Sequence, residues 1–219
     1  MTGAGAAPPF PIILAAPSGA GKTTIARALR QKRTDVEFSI SATTRPPRPG
    51  ERSGVDYHFL SRDGFQAMID AGEFIEWAEV HGNLYGTPRR NVDEALSRGN
   101  YLLLDIDVQG SRMVREAVPE ALSVFVLPPS GGELARRLAG RGTETAEVRE
   151  RRLRASREEL QAVTEFDYVI VNEDVDRSVA VVEAILTAEA HRRERIGSLG
   201  ALVRRLQDEV DGYLASIEG

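Results

Sequence analysis

Cysteine is absent from the 219 residues, which excludes disulfides and thiolate metal sites and gives no sign of an oxidising compartment. Lysine is almost absent: 26 of the 28 basic residues are arginine, leaving Lys22 and Lys32. No uninterrupted apolar run is long enough for a membrane span. The opening "MTGAGAAPPFP" carries no positive charge ahead of its small residues, so residues 1–10 read as a flexible lead-in and not a signal peptide. A cytoplasmic protein is the expectation. Net charge is −5, which argues against nucleic-acid binding through the phosphate backbone. What is present is ordinary for a soluble domain, 42% hydrophobic and 28% charged residues, with length for one sizeable α/β core.

Strand-like and helix-like patterns alternate, the signature of a parallel sheet flanked by helices. "PIILAA" (11–16) is a short buried strand, followed by a helix over 22–31. "VEFSISAT" (36–43) alternates with period two, and "TRPPRPGERSG" is a Pro/Gly/Arg-rich loop before a strand at "DYHFL". A helix opens at Ser61 and stops at Gly72. "EFIEWAEV", "HGN" and "LYGT" read as strand, turn and strand. Thr87 and Pro88 suit an N-cap and first helical position, with Gly99 as the stop. Further strands are expected at 101–106, 122–127 and 167–171, and Ser130 with Glu133 forms a capping box.

The densest chemistry lies in "LAAPSGAGKTT", at the exit of the first strand. A glycine turn leading into a helix that starts at Lys-Thr makes an anion cradle of main-chain N–H groups and helix dipole. Lys22 would reach the β- and γ-phosphates, and Thr23 would sit on Mg²⁺. The pattern G-x-x-x-x-G-K-[ST] is met except that Ala16 stands where the first glycine would be; Gly19 and Gly21 remain. Asp105 ends the apolar strand "YLLLD", where a second acidic group for Mg²⁺ is expected.

Residues 131–160 carry Arg136, Arg137, Arg141, Arg149, Arg151, Arg152, Arg154 and Arg157, interspersed with six acids. Most suit a solvated, salt-bridged helix face. The break "AGRGTET" instead suits the bend of a movable hairpin. In the tail, Leu199, Leu202, Val203, Leu206, Val210 and Leu214 recur at helical spacing, with Ser198 as a cap. A helix over 196–219 docked on its own domain is expected, with a subunit contact or a mobile extension as alternatives; Gly212 weakens it by roughly 1 kcal/mol.

The motifs "SISATTRPPRPGE", "DYHF", "FIEWAEVHGNLYGT", "LDIDVQG", "GRGTET" and "VIVNED" follow one another in that order. With the phosphate loop they resemble guanylate kinase from Ile12 to about Ala190, within a domain set at 11–195. The resemblance implies a P-loop parallel sheet core, a mixed β/α GMP-binding insert (about 38–90) and a helical lid (about 135–157). It implies transfer of a phosphoryl group from ATP, with Mg²⁺, to GMP and dGMP. Ala16, Pro17, Ser18, Gly19, Ala20, Gly21, Lys22, Thr23, Thr24 and Asn172 match ATP positions, Asn172 near the adenine. Arg45, Arg48, Tyr57 and Tyr85 match the clamp on the acceptor phosphate, chemically apt for a dianion.

By the same resemblance Glu76 reads the guanine edge, whose N1–H and 2-amino group a carboxylate can accept together. Ser41 and Thr87 match hydroxyl contacts to the base, and Asp107 a second acidic contact. Lys22, Arg45, Arg137, Arg141 and Arg152 match charges that stabilise the transferring group, and Thr23 with Asp105 the metal position. Trp77, beside Glu76 on a strand, is expected to face the opposite way into core. His58, His81 and His191 are isolated and take no chemical role. Two other readings share the fold: a non-catalytic module that binds a protein segment in the acceptor cleft, and a kinase acting on another phosphorylated acceptor. The oligomeric state, monomer or homodimer, is open.

Overall fold

Pro11–Ala15 (β1) is buried along its whole length, as expected for a central strand with both faces covered. The computed structural model describes residues 7–80, 82–139 and 146–218. Phe10–Val181 forms one compact unit, and Met1–Pro9 groups with Val182–Gly219 as another. Within the expected lead-in, Ala7 and Phe10 are buried, and the Phe10 ring meets Tyr101 edge-on at 5.0 Å.

Beside β1 run β2 (Val36–Phe38), β7 (Tyr101–Asp105), β8 (Leu122–Leu127) and β9 (Tyr168–Val171). They form a parallel sheet in the order β2-β7-β1-β8-β9. Its helices are α1 (Lys22–Lys32), α3 (Arg89–Ser97), α4 (Val108–Ala117), α5 (Gly131–Ala139), α6 (Ala146–Glu159) and α7 (Val175–Ala190), which belongs in part to each unit. Ile13, Leu102, Leu104, Val114 and Phe125 anchor the core between sheet and helices. The register sets Leu14 against Asp105, so the phosphate loop and that carboxylate emerge together at the carboxyl ends of the strands.

A second, four-stranded sheet holds β3 (Ala42–Thr43), β4 (His58–Phe59), β5 (Phe74–Val80) and β6 (Asn83–Pro88), in the order β4-β3-β6-β5. It is mixed: β3 and β4 are parallel, while β6 is antiparallel to β3 and β5. Helix α2 (Arg62–Asp70) packs on it through Phe65, whose ring stacks on Phe74 at 4.4 Å. Ala42 and Leu84 complete this small core. The α/β class, the parallel sheet and the mixed insert are therefore as the sequence implied.

Several local expectations need correction. Residues 36–43 are not one strand: β2 ends at Phe38 and β3 starts at Ala42, in different sheets. The crossing is pinned by Asn91, whose amide donates to Ser39 Oγ and to the Ile40 carbonyl, each at 3.0 Å. Thr87 is not an N-cap; it lies within β6, Pro88 occupies the cap position, and the hydroxyl is engaged elsewhere. Ser130 Oγ does accept the Glu133 N–H, but the Glu133 carboxylate goes to Arg136 and Arg137 and does not return to close the box.

Strand β5 carries a bulge between Phe74 and Glu76. Phe74 pairs with Pro88 and Glu76 with Thr87, so Ile75 is the extra residue. Three consecutive side chains are buried as a result: Phe74 in the small core, Ile75 in the large one, and Glu76 between. Beyond the bulge ordinary alternation sends Trp77 outward. Trp77 is 40% exposed, so the expectation that it faces away from Glu76 holds and the expectation that it is core fails.

Candidate active site

The chain leaves β1 through Ala16 and turns at Gly19 and Gly21, both in the left-handed region (φ 91° and 97°). Gly21 is doubly constrained. A Cβ there would lie 2.2 Å from the Asn172 amide nitrogen, so the position requires both the backbone angle and the missing side chain. Helix α1 then begins at Lys22, its first N–H groups directed at the loop.

Lys22 Nζ lies 2.7 Å from Asp105 Oδ1 and also donates to the Ile106 carbonyl. Thr23 Oγ1 donates to Asp105 Oδ2 at 2.8 Å. Both carboxylate oxygens of Asp105 are thus held by the two residues expected at the phosphates and the metal. A cavity of about 520 Å³ opens over the loop, lined by Ala16 to Gly19, Gly21 to Thr24, Tyr57, Asp105, Asp107, Arg137 and Glu159. Ala20 is fully buried and contributes its carbonyl, which accepts from Arg137 Nη1 at 3.0 Å and Asn172 Nδ2 at 2.8 Å.

Asn172 has a structural duty that the sequence did not suggest. It is 2% exposed, and its amide is committed to Ala20 and to the Ser178 hydroxyl, so it braces the loop from behind. Arg137 is aimed at the loop by Glu133, which accepts its Nε at 2.7 Å and is itself held down to about pKa 2 by Arg136 and Arg137. Arg152 donates from Nη2 to Ser18 Oγ at 2.8 Å. Arg141 and all but the first residue of the break at 139–145, where a bend was expected, lie outside the described residues, as does His81.

Two residues that the sequence reading passed over complete this side. Ser156 Oγ donates to the Ser18 carbonyl at 3.3 Å, and the Glu159 carboxylate accepts the Ser18 N–H at 3.1 Å. With Arg152 they stand at i, i+4 and i+7 on α6, one face of the helix. Together they engage all three hydrogen-bonding groups of Ser18. Burial raises the Glu159 pKa above the usual carboxylate range. The i, i+4, i+7 spacing was legible, but its target, more than 130 residues away, was not.

Next to the loop a second cavity, of about 210 Å³, is lined by Ser41, Tyr57, Glu76, Ala78, Val80, Tyr85, Gly86, Asp105, Ile106 and Asp107. Tyr57, Asp105 and Asp107 line both cavities, so the two adjoin. Glu76 is 7% exposed and accepts the Thr87 hydroxyl at 2.7 Å. Burial pushes its pKa up to about 7, with the Asp107 charge adding and the Thr87 hydrogen bond opposing. Thr87 is wholly buried, so its hydroxyl orients the carboxylate. Asp107 has a structural duty as well: its Oδ1 caps α4 by accepting the Gly110 N–H at 2.7 Å.

Arg45 lies 5.5 Å from the Tyr57 ring centroid and 5.8 Å from that of Phe59. Its Nη2 donates to Glu51 Oε1 at 2.9 Å, and Glu51 Oε2 accepts the Arg48 N–H at 2.7 Å. Tyr85 meets Tyr57 edge-on at 6.2 Å. Arg48, Glu51, Ser41 and Tyr57 also line a further opening of about 520 Å³ with Thr23 and Asp105. Sequence reasoning missed Glu51, a carboxylate that engages both Arg45 and the Arg48 main chain. Its position in "RPGERS" gave no sign of that pairing.

The guanylate kinase family profile matches residues 9–189. Among curated proteins, the guanylate kinase of Alkalilimnicola ehrlichii is 51% identical over 183 residues, covering 84% of this chain and 90% of its own. That of Rhodococcus jostii is 52% identical, covering 84% and 89%. A crystal structure of guanylate kinase from Anaplasma phagocytophilum superposes with a TM-score of 0.77 at 34% identity, covering 92% of this chain and 96% of that one. With the strand order, the phosphate loop and the insert already described, these likenesses place the chain in the guanylate kinase family.

Proposed function

We propose that this chain is an enzyme that transfers the γ-phosphoryl group of ATP to the 5′-phosphate of GMP, and of dGMP. The observation that carries the reading is the shared wall of the two cavities. Tyr57, Asp105 and Asp107 separate the phosphate loop from the pocket into which Glu76 looks, so a donor on one side faces an acceptor on the other.

The acceptor oxygen belongs to an ionised phosphate. The new bond forms between it and the γ-phosphorus while the bond to the ADP oxygen breaks, and no general base is needed. The task is to bring two anions into line and offset their repulsion. Lys22 and the N–H groups of the loop hold the donor. Arg45, Arg48, Tyr57 and Tyr85 hold the acceptor phosphate, with Arg45 exchanging Glu51 for the ligand. Arg137, Arg141 and Arg152 supply charge at the transferring group. Ser41, Thr87 and Asp107 support recognition of guanine by Glu76, which must be ionised to accept two N–H donors.

Mg²⁺ fits this donor set. Among the described residues no cluster of three acidic or histidine side chains exists to cage an ion. Thr23 and Asp105, whose oxygens lie 2.8 Å apart, would hold the ion together with the phosphates of ATP. When bound with ATP, the ion would neutralise charge on the β- and γ-oxygens. Among the described residues no helix is long and apolar enough to cross a membrane.

A coupled assay with ATP, Mg²⁺ and GMP, with AMP as control, tests the reading. ADP release that depends on GMP is the expected result. Equal turnover of AMP, or none of either, overturns it.

A further inference from the structure

Helix α8 (Leu199–Glu218) does not bury its apolar side as the sequence suggested. Val203, Leu206, Val210, Tyr213, Leu214 and Ile217 are all exposed. We propose that α8 pairs with α8 of a second copy of this chain, as a parallel two-stranded coiled coil.

The spacing identifies the partner. Leu199, Val203, Leu206, Val210, Tyr213 and Ile217 step by four, three, four, three and four residues. That is a 3.5-residue repeat, the period that keeps one seam facing another helix of the same kind. Seam positions alternate in shape as well as in spacing. Val203, Val210 and Ile217, all β-branched, occupy one heptad position, and Leu199, Leu206 and Tyr213 the other. β-Branched residues at the first and leucine at the second favour two parallel strands. Leu202 and Leu214 flank the seam, while Arg204, Arg205, Asp208 and Asp211 fall outside it.

Two further observations support a protein partner. Residues 199–218 carry two arginines against four acids, a net charge of −2, which opposes adsorption to an anionic lipid surface. The helix also contains Gly200 and Gly212, both poor helix formers. A 20-residue helix of this kind gains its stability by packing its apolar face, so a partner is part of what makes it a helix. Gly212 lies off the seam and presents no obstacle to pairing.

Light scattering of the full chain across a dilution series tests the proposal. The expected mass is twice 23.9 kDa, falling to one chain on dilution. Placing charges on the seam with Leu206→Asp and Val210→Asp together raises the dimer Kd by more than about a hundredfold, because unpaired buried carboxylates oppose association. ADP release with GMP stays unchanged. Because the chain has no cysteine, single thiols report the geometry directly. Val203→Cys should cross-link to itself under mild oxidation, since paired seam positions fall within the roughly 4.4–6.8 Å Cα range of a disulfide. Asp208→Cys, on the outer face, should not. A monomer at every concentration, a trimer or tetramer mass, or a dimer in which Val203→Cys fails to cross-link would each overturn the proposal.

Discussion

Around the phosphate loop most fixed contacts run through the main chain. The Ala20 carbonyl holds Arg137 and Asn172, and the Ser18 N–H and carbonyl are held by Glu159 and Ser156. Across the shared wall the acceptor side is held side chain to side chain, Glu76 by Thr87 and Arg45 by Glu51. A backbone-built site answers to geometry and accepts any ligand with the right charge. A side-chain-built site can distinguish one base from another, at the cost of burying groups that must find partners. Donor binding and acceptor choice should therefore fail in different ways.

The largest effect expected is on the donor side. Lys22→Met removes the cation proposed to reach the transferring phosphate and should lower kcat by about 10³-fold or more, with the fold intact by circular dichroism. Near-normal turnover would separate this lysine from the chemistry.

Glu76→Gln comes next. It keeps the shape but presents an N–H to guanine where an acceptor is needed, and should reduce kcat/KM for GMP by roughly 10²- to 10⁴-fold. The KM for ATP should hold steady, and a parallel rise in it would merge the two sides that the structure separates.

The third effect is a pH dependence confined to the acceptor side. With Glu76 pushed up to about 7 in the folded chain from a normal 4.5, the folded state binds the extra proton between those values. Stability of the nucleotide-free chain then falls as pH rises through that window, by of the order of 2–3 kcal/mol, and is highest below it. Binding runs the other way: KM for GMP should improve about tenfold per pH unit up to about 7 and then level off, because guanine needs the ionised carboxylate. Glu76→Gln should flatten both profiles, leaving only the titration of the nucleotide's own phosphate. Thermal melts and initial rates across the same buffers read both.

The smallest expected effect sharpens the donor side. Glu159→Ala frees the Ser18 N–H and should raise KM for ATP by about three- to tenfold, with little change in KM for GMP. Glu159→Gln, whose amide oxygen can still accept that N–H, should restore most of it. Failure of the amide to rescue would mean that the charge, and not the hydrogen bond, is what matters.

The same contrast explains what could be read in the sequence. The phosphate loop was legible because a left-handed turn leaves glycines in the text, and because Lys22 is one of only two lysines in an arginine-rich chain. Glu76 and Tyr57, which line one cavity, and Arg45, which lies beside the Tyr57 ring, were singled out by ordered family motifs and not by any rule of spacing. Ser156 and Glu159 were not, since each acts on Ser18, which only the fold brings near, and Glu51 was not, although Arg45 and Arg48 are its close neighbours in sequence. The loop-bracing duty of Asn172 was not foreseen, and Trp77 was misplaced. Asn172 is turned inward by Ala20 and Ser178, and Trp77 is turned outward because one inserted residue resets the alternation of its strand.

That inserted residue has a consequence for what the strand can tolerate. Phe74 and Ile75 point into separate hydrophobic interiors, and Glu76 follows at once. Removing a single residue here would pull one apolar anchor out of its own interior and rotate the acidic group off the ligand, so that packing and selectivity are lost together. Shortening or lengthening this stretch is thus closed to gradual change, whereas exchanging Trp77 on the outward face leaves both functions alone.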